Sequence, residues 1–168
     1  MDLNLIKKNK VLALILVTGL FLRLLFILYG AEIYFNRTNI HIDGDTWAWQ
    51  NCIENLINNG TFTVGGDNGQ FSRMPGYPFF MGVFYTLCNQ NWDIAIIIIA
   101  WFQVIIDVIS IYLIYRITIL TFNNKKTSLI ASFLYSTYPF VIVWNPVCYA
   151  EVWSTFLMLL SLVLFFKS

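Results

Sequence analysis

The chain has 168 residues, of which 58% are hydrophobic and 11% are charged, and its mean hydropathy is +0.68. A soluble domain is about half apolar and about a quarter charged, so this composition predicts an all-α integral membrane protein. The net charge is +1, and the absence of a basic stripe argues against a nucleic-acid partner. The cysteines Cys52, Cys88 and Cys148 are widely spaced and match no metal-binding or redox motif.

The first apolar run covers residues 11–29 and is interrupted by only a few polar side chains. Crossing a bilayer takes about 20 apolar residues, so we predict a first transmembrane helix here. A signal peptide is the alternative, but the run is long for one and no small-residue cleavage site follows it. Lys7, Lys8 and Lys10 precede the run, which predicts a cytoplasmic N-terminus and places the next loop outside.

The outer loop, residues 31–93, is expected to contain two juxtamembrane helices. Residues 45–58 have an amphipathic pattern whose apolar face is formed by Trp49, Cys52, Ile53, Leu56 and Ile57. Asp43 or Asp45 could cap this helix, Gly60 could end it, and we expect it to lie flat at the membrane interface. After a polar loop at 61–72, Pro75 suits the start of a second helix, whose apolar run at 79–87 is too short to span.

Three further spans are predicted at residues 94–120, 128–143 and 152–166, with a short aromatic outer turn at 144–151. The positive charges agree with this topology, because most of them fall on the inner side. The inner cations are Lys7, Lys8, Lys10, Arg116, Lys125, Lys126 and Lys167, and the outer cations are Arg37 and Arg73. We therefore expect a multi-pass protein of the plasma or inner membrane with Asp43, Asp45, Arg73 and Glu151 on its outer face.

Four outer side chains are candidates for chemistry, each with a simpler alternative. A carboxylate at Asp43 or Asp45 could accept a proton from a hydroxyl, or could merely cap the helix. The Arg73 guanidinium could bind phosphate oxygens in a fork, or could merely touch lipid headgroups. Glu151 could act beside them, or could merely stabilise the start of the last helix.

Two charges are predicted inside the membrane, Arg23 and Asp107. Arg23 lies about six residues, on the order of 9 Å, from the outer end of a helix over 11–29, so it could snorkel outward. Asp107 is in the middle of its span, where an ionisable side chain is a candidate for function. The alternative is a structural partner, which would be Gln103, Ser110 or a polar group on a neighbouring helix. The estimated depths differ by more than one helical turn, which argues against a direct contact between Arg23 and Asp107.

Several motifs occur together in this order along the chain. They are Arg23 in the first helix, Asp45 with Trp49, the residues Asn55-Leu56 and Asn59-Gly60, the segment F-S-R-M-P-G-Y-P at 71–78, Gln103 with Asp107, Tyr138-Pro139, and Glu151. With the predicted topology, this pattern resembles the N-terminal part of GT-C type glycosyltransferases, the relatives of protein mannosyltransferases and aminoarabinose transferases that use polyprenyl-phosphate sugars. These enzymes usually have more spans, so the chain is expected to be the N-terminal part of such an enzyme.

The resemblance implies an inverting sugar transfer from a polyprenyl-phosphate donor to a hydroxyl, with or without a divalent metal. Asp45 would activate the acceptor, with Asp43 as the fallback base, and Glu151 would orient the donor or a metal. Arg73 would meet the lipid phosphate, and Tyr77 and Trp49 would join it in binding substrate.

The expected partners are the lipid-linked sugar, membrane lipid and any remaining transmembrane part of a split enzyme. Two alternatives stay open from the sequence. One is a non-catalytic four-helix membrane protein that binds a lipid or a partner subunit, and the other is an inactive remnant of a longer enzyme.

Overall fold

The computed structural model describes residues 9–66 and 69–166, which form helices and connecting loops without β-strands. The elements are α1 Lys10–Leu25, a π-helical turn Phe26–Gly30, α2 Ala31–Phe35, α3 Asp45–Asn59, α4 Gly76–Leu87, α5 Trp92–Phe122, α6 Lys125–Ser136, α7 Pro139–Trp144 and α8 Ala150–Phe165. The expected all-helical class is therefore confirmed.

Within the described residues, two helices are long and apolar enough to cross a membrane. The first runs without interruption over Lys10–Phe35, because the π-helical turn joins α1 to α2, and the second is α5. Both exceed the roughly 20 residues that a span requires. The α8 helix is apolar but has only 16 residues. The predicted runs 11–29 and 94–120 thus lie inside longer helices.

The predicted third span is not one continuous helix. The chain leaves the helical conformation at Thr137 and Tyr138, between α6 and α7. The physical reason is Pro139, because a proline disfavours the α conformation of the residue before it. Tyr138 is accordingly extended, with φ −68° and ψ 116°. The third predicted span therefore consists of two helices, α6 and α7.

The two helices predicted in the first loop are both present. The α3 helix begins at Asp45, as expected, and Gly60 ends it in the left-handed conformation with φ 68°. The α4 helix begins after Pro75 and packs against α3, where Gly82 lies against the Ile53 side chain. The expected loop between the two helices is also observed over the described residues of 61–75.

The long α5 helix is the centre of the packing, and it contacts α1, α4, α6 and α8. At one end, which we call the loop end, the segments between helices meet. There the rings of Phe35 and Trp144 are 5.6 Å apart, and the Cys148 amide donates to the His41 carbonyl at 2.9 Å. At the opposite end the Asn9 side-chain amide contacts the Tyr115 hydroxyl at 3.3 Å. The fold therefore brings the segments 36–44 and 145–149 together at the loop end, whereas the polar connection Asn123-Asn124 between α5 and α6 lies at the opposite end.

Arg23 and Asp107 form an ion pair, contrary to the prediction from depth. The Arg23 Nε donates to Asp107 Oδ2 at 2.5 Å, and both side chains are almost completely buried. The prediction was wrong because the first helix continues to Phe35, so Arg23 lies near its middle, at the level of Asp107 in the middle of α5. Arg23 does not snorkel outward.

Further hydrogen-bond partners of this pair come from α1 and α6. A second guanidinium nitrogen, Arg23 Nη1, donates to the carbonyls of Gly19 and Ser136, and the Tyr135 hydroxyl donates to Asp107 at 2.6 Å. Of the expected partners of Asp107, a polar group on a neighbouring helix is the observed one. Gln103 instead bonds to other groups, and Ser110 donates to the Ile106 carbonyl. The ion pair thus ties α1, α5 and α6 together in the interior.

Candidate functional site

The turn Asp43-Gly44-Asp45 starts α3 at the loop end. Gly44 has φ 39° and ψ −106°, and a Cβ atom at this position would lie 3.0 Å from the Tyr149 hydroxyl. A glycine is required here because other residues rarely adopt this conformation. Neither carboxylate caps the helix, since the capping residue is Gly44 and no side chain accepts from the first turn. The prediction that Asp43 or Asp45 caps α3 is therefore wrong.

Each carboxylate of the turn contacts an arginine. Arg73 Nη2 lies 2.7 Å from Asp45 Oδ1, and Arg37 Nη2 lies 3.0 Å from Asp43 Oδ2. The Asp45 and Arg73 side chains are 50% and 43% exposed, so a ligand from solution can reach both. Asp43 and Arg37 are less exposed, and the Arg37 guanidinium also lies 5.1 Å above the Phe35 ring.

The structure thus brings the predicted residues Asp43, Asp45 and Arg73 together. Arg37 was missed as a site residue. The signal that could have identified it was its position as the only outer cation besides Arg73 in the predicted topology.

A cluster of aromatic rings adjoins the turn through Tyr149. The Trp49 and Tyr77 rings are 4.8 Å apart, and Trp49 also meets Tyr149 edge to face at 6.0 Å. Trp49 and Tyr77 are buried, at 9% and 6% exposed. These two predicted substrate-binding residues are therefore largely buried, and Trp49 contacts Tyr149, the residue beside the turn.

Tyr149 links the turn to Glu151, the remaining predicted site residue. Burial raises the pKa of the Tyr149 phenol, and the nearby carboxylates of Asp43, Asp45 and Glu151 raise that pKa further, while Arg37 lowers it. The phenol therefore stays protonated near neutral pH and can donate a hydrogen bond. Glu151 itself is exposed in the first turn of α8.

A groove of about 360 Å³ begins at Tyr149 and Glu151 and runs between α7 and α8. Its other lining residues are Phe140, Val141, Trp144, Val152 and Thr155. The walls are mostly apolar, and two of the polar lining residues, Tyr149 and Glu151, adjoin the charged cluster. This arrangement suits an amphipathic molecule with an apolar chain and a polar head.

Buried hydrogen bonds hold the segment 145–149 in place under the turn. The Gln103 amide donates to the carbonyls of Asn145 and Val147 at 2.9 and 2.8 Å, and its oxygen accepts from the Tyr77 hydroxyl at 2.6 Å. The Thr46 hydroxyl donates to the Cys148 carbonyl at 3.2 Å. Gln103 thus fixes the backbone that carries Tyr149, a role that the sequence did not reveal.

Replacing Gln103 by methionine is expected to loosen this segment. The substitution leaves the Tyr77 hydroxyl and two carbonyls buried without partners, which should lower the free energy of unfolding by about 1–3 kcal/mol. Cys148 is completely buried, so its rate of labelling by N-ethylmaleimide should rise several-fold. Cys88, which is partly exposed and distant, provides the internal control. Unchanged stability and unchanged Cys148 labelling would contradict this role.

A metal ion finds no complete donor set in the part of the chain that the structure describes. No three His, Cys, Asp or Glu side chains there are grouped so that they could hold a metal. Asp43 and Asp45 contact arginines instead. The side chains that the structure describes at this site therefore do not fit a divalent metal.

In comparisons with known proteins, no family model matches the chain, and no curated protein or solved structure is significantly similar to it.

Proposed function

We propose that the chain crosses the membrane four times, with its N-terminus in the cytoplasm and the loop end outside. The spans would be Lys10–Phe35, α5, the pair α6 and α7, and α8. Lys10, Arg116, Lys125 and Lys126 belong to the end opposite the loop end, whereas Arg37 and Arg73 belong to the loop end, which supports this orientation. Lys7, Lys8 and Lys167, which entered the prediction, lie outside the described residues.

For the activity, we propose a glycosyltransferase, or the N-terminal part of one, that moves a sugar from a polyprenyl-phosphate donor to a hydroxyl. The observation that carries this proposal is the contact between the exposed Asp45 carboxylate and the exposed Arg73 guanidinium. Sugar transfer needs both groups within one site, a carboxylate to accept a proton and a cation to receive the leaving phosphate. The residues come from separate elements, 28 positions apart, so the fold and not local sequence places them together.

In the proposed reaction, Asp45 accepts the proton of the acceptor and Arg73 binds the leaving phosphate. The acceptor oxygen attacks the anomeric carbon from the face opposite the phosphate, and its proton passes to Asp45. The bond between the anomeric carbon and the phosphate oxygen breaks, and its electron pair leaves on the phosphate. Arg73 stabilises the negative charge that develops on the leaving phosphate, because its guanidinium is a cation placed where that charge forms. The sugar is transferred with inversion, and polyprenyl phosphate is the second product.

The groove between α7 and α8 would hold the start of the lipid chain. Its apolar walls suit an isoprenoid, and Tyr149 and Glu151 would contact the sugar or the phosphate from the polar end. Asp43 is the fallback base, but its contact with Arg37 and its lower exposure make Asp45 the better candidate.

A binding measurement tests this assignment. The protein in phosphatidylcholine nanodiscs should bind farnesyl phosphate, and it should bind uncharged farnesol more weakly. Binding is measured by the change in tryptophan fluorescence. Arg73→Ala should weaken farnesyl phosphate binding about tenfold or more, because charge-assisted hydrogen bonds to phosphate are lost. Lys125→Ala, which removes a cation at the other end, is the matched control and should bind as the wild type does. Equal binding by the Arg73 variant would contradict the assignment.

A non-catalytic lipid-binding membrane protein is the second candidate function. It is favoured by the fact that both carboxylates of the turn are paired with arginines, so neither is free in this structure. Binding that depends on Arg73, without transfer of sugar from any polyprenyl-phosphate donor, would support this second function over the first.

A further inference from the structure

We propose that the ion pair between Arg73 and Asp45 is an autoinhibitory contact, and that the phosphate of the lipid donor opens it. The inference rests on the proposed function and adds regulation to that site. In this arrangement Asp45 becomes available as a base only after Arg73 has turned to the phosphate. The Asp45 carboxylate would therefore be unable to act as a base until a donor is bound.

The contact occupies the atoms that the reaction needs. Asp45 Oδ1 is 2.7 Å from Arg73 Nη2, so this oxygen faces a guanidinium and not an acceptor hydroxyl. The same guanidinium nitrogen is directed at a carboxylate and not at a phosphate. Each group thus blocks the other, and the two reactive roles require the pair to separate.

The ion pair between Arg73 and Asp45 can also separate at a small cost in free energy. Both side chains are close to half exposed, and ion pairs of this kind are weak because water and salt screen them. Asp45 is fixed in the first turn of α3, whereas Arg73 lies in the irregular segment before α4. Arg73 can therefore turn away without any change in a helix.

The neighbouring ion pair between Arg37 and Asp43 is less exposed and is held by more contacts than the pair between Arg73 and Asp45. Arg37 contacts Asp43 and lies above the Phe35 ring, and the side chains of both Arg37 and Asp43 are only about one third exposed. Arg37 is thus held on two sides, while the contact described for Arg73 is the one with Asp45. We assign Arg73 as the movable cation and Arg37 as the fixed one.

Asp45→Asn tests the proposal, because it frees Arg73 while keeping the size of the side chain. If Asp45 competes with the donor phosphate, this variant should bind farnesyl phosphate about two- to fivefold more tightly than the wild type, in the nanodisc assay described above. Asp93→Asn is the matched control, since Asp93 is an exposed carboxylate in the first turn of α5 at the same end of the protein. It removes a negative charge without freeing Arg73, so it should change the affinity less.

The outcomes separate this proposal from the proposed function. Tighter binding by Asp45→Asn alone supports the autoinhibitory contact. Unchanged or weaker binding by Asp45→Asn, with wild-type binding still dependent on Arg73, overturns the contact but not the lipid-phosphate site. An equal gain in Asp93→Asn also overturns it, because general charge would then explain the effect. No saturable binding in any variant overturns both proposals.

A second variant and a second ligand complete the experiment. Asp45→Ser frees Arg73 in a second way, and it replaces Asp45→Asn if that variant is not monodisperse in detergent. Titration with inorganic phosphate distinguishes a free anion from a lipid head group. Binding of inorganic phosphate as tight as that of farnesyl phosphate would overturn the assignment of the lipid donor as the group that opens the contact.

Discussion

Asp45→Asn is expected to abolish sugar transfer. The substitution keeps the shape of the side chain but removes the group that accepts the proton from the acceptor hydroxyl. Positioned general bases typically contribute about 10²- to 10⁴-fold to a rate, so transfer should fall by at least about a hundredfold. The measurement is transfer of radiolabelled sugar from polyprenyl-phosphate donors in membranes that contain the protein.

The combination of the two effects of Asp45→Asn is more telling than either alone. A base that is also an autoinhibitory partner predicts slower transfer together with tighter binding of farnesyl phosphate. Asp93→Asn should retain transfer, because Asp93 lies outside the charged cluster. Wild-type turnover by Asp45→Asn would refute the assignment of Asp45 as the base, and Asp43 would then be tested by the same substitution.

Arg23→Met is expected to give the largest loss of stability. It leaves Asp107 buried in the interior without the guanidinium that neutralises it, although the Tyr135 hydroxyl still donates to the carboxylate. Removing one partner of a buried ion pair typically costs about 3–5 kcal/mol, because the remaining charge is uncompensated. The free energy of unfolding, measured by reversible unfolding in bicelles, should fall by this amount.

The double variant Arg23→Met with Asp107→Leu separates lost charge pairing from lost packing. Replacing both partners of a buried pair by apolar residues is often nearly neutral, so most of the stability should return. Arg116→Met is the control, since Arg116 is only partly buried and contacts Tyr112 at a longer 3.3 Å. A double variant as unstable as Arg23→Met alone would show that the ion pair is not the reason for the loss.

The local features of the fold were predictable because their signals are local. The α3 helix starts at Asp45 and is followed by Gly60, as its apolar period and the glycine indicate. The two helices of spanning length contain the two apolar runs that the sequence predicts. The break before Pro139 was also predictable, because proline disfavours the helical conformation of the residue that precedes it. The prediction missed this break because the apolar run continues across it and favours a single helix.

The contact between Arg23 and Asp107 was not predictable, because it depends on where a helix ends. Tyr29 and Gly30 suggest an end to the first helix, whereas a π-helical turn carries it on to Phe35. That extension moves Arg23 from near the helix end to its middle. An error of a few residues in one boundary was enough to reverse the expected pairing.

For the candidate site, residue type and topology nominated Asp43, Asp45, Arg73 and Glu151, and their sugar-transfer chemistry stays a prediction. The sequence by itself determined the all-helical class, the apolar composition of the long helices and the polar loop between them, because those depend on composition and helical period. Only the tertiary structure decided which arginine meets which carboxylate, since the Arg73–Asp45 contact joins residues from two elements. It also decided the role of Gln103, because a buried amide takes its partners from whatever backbone the packing brings to it.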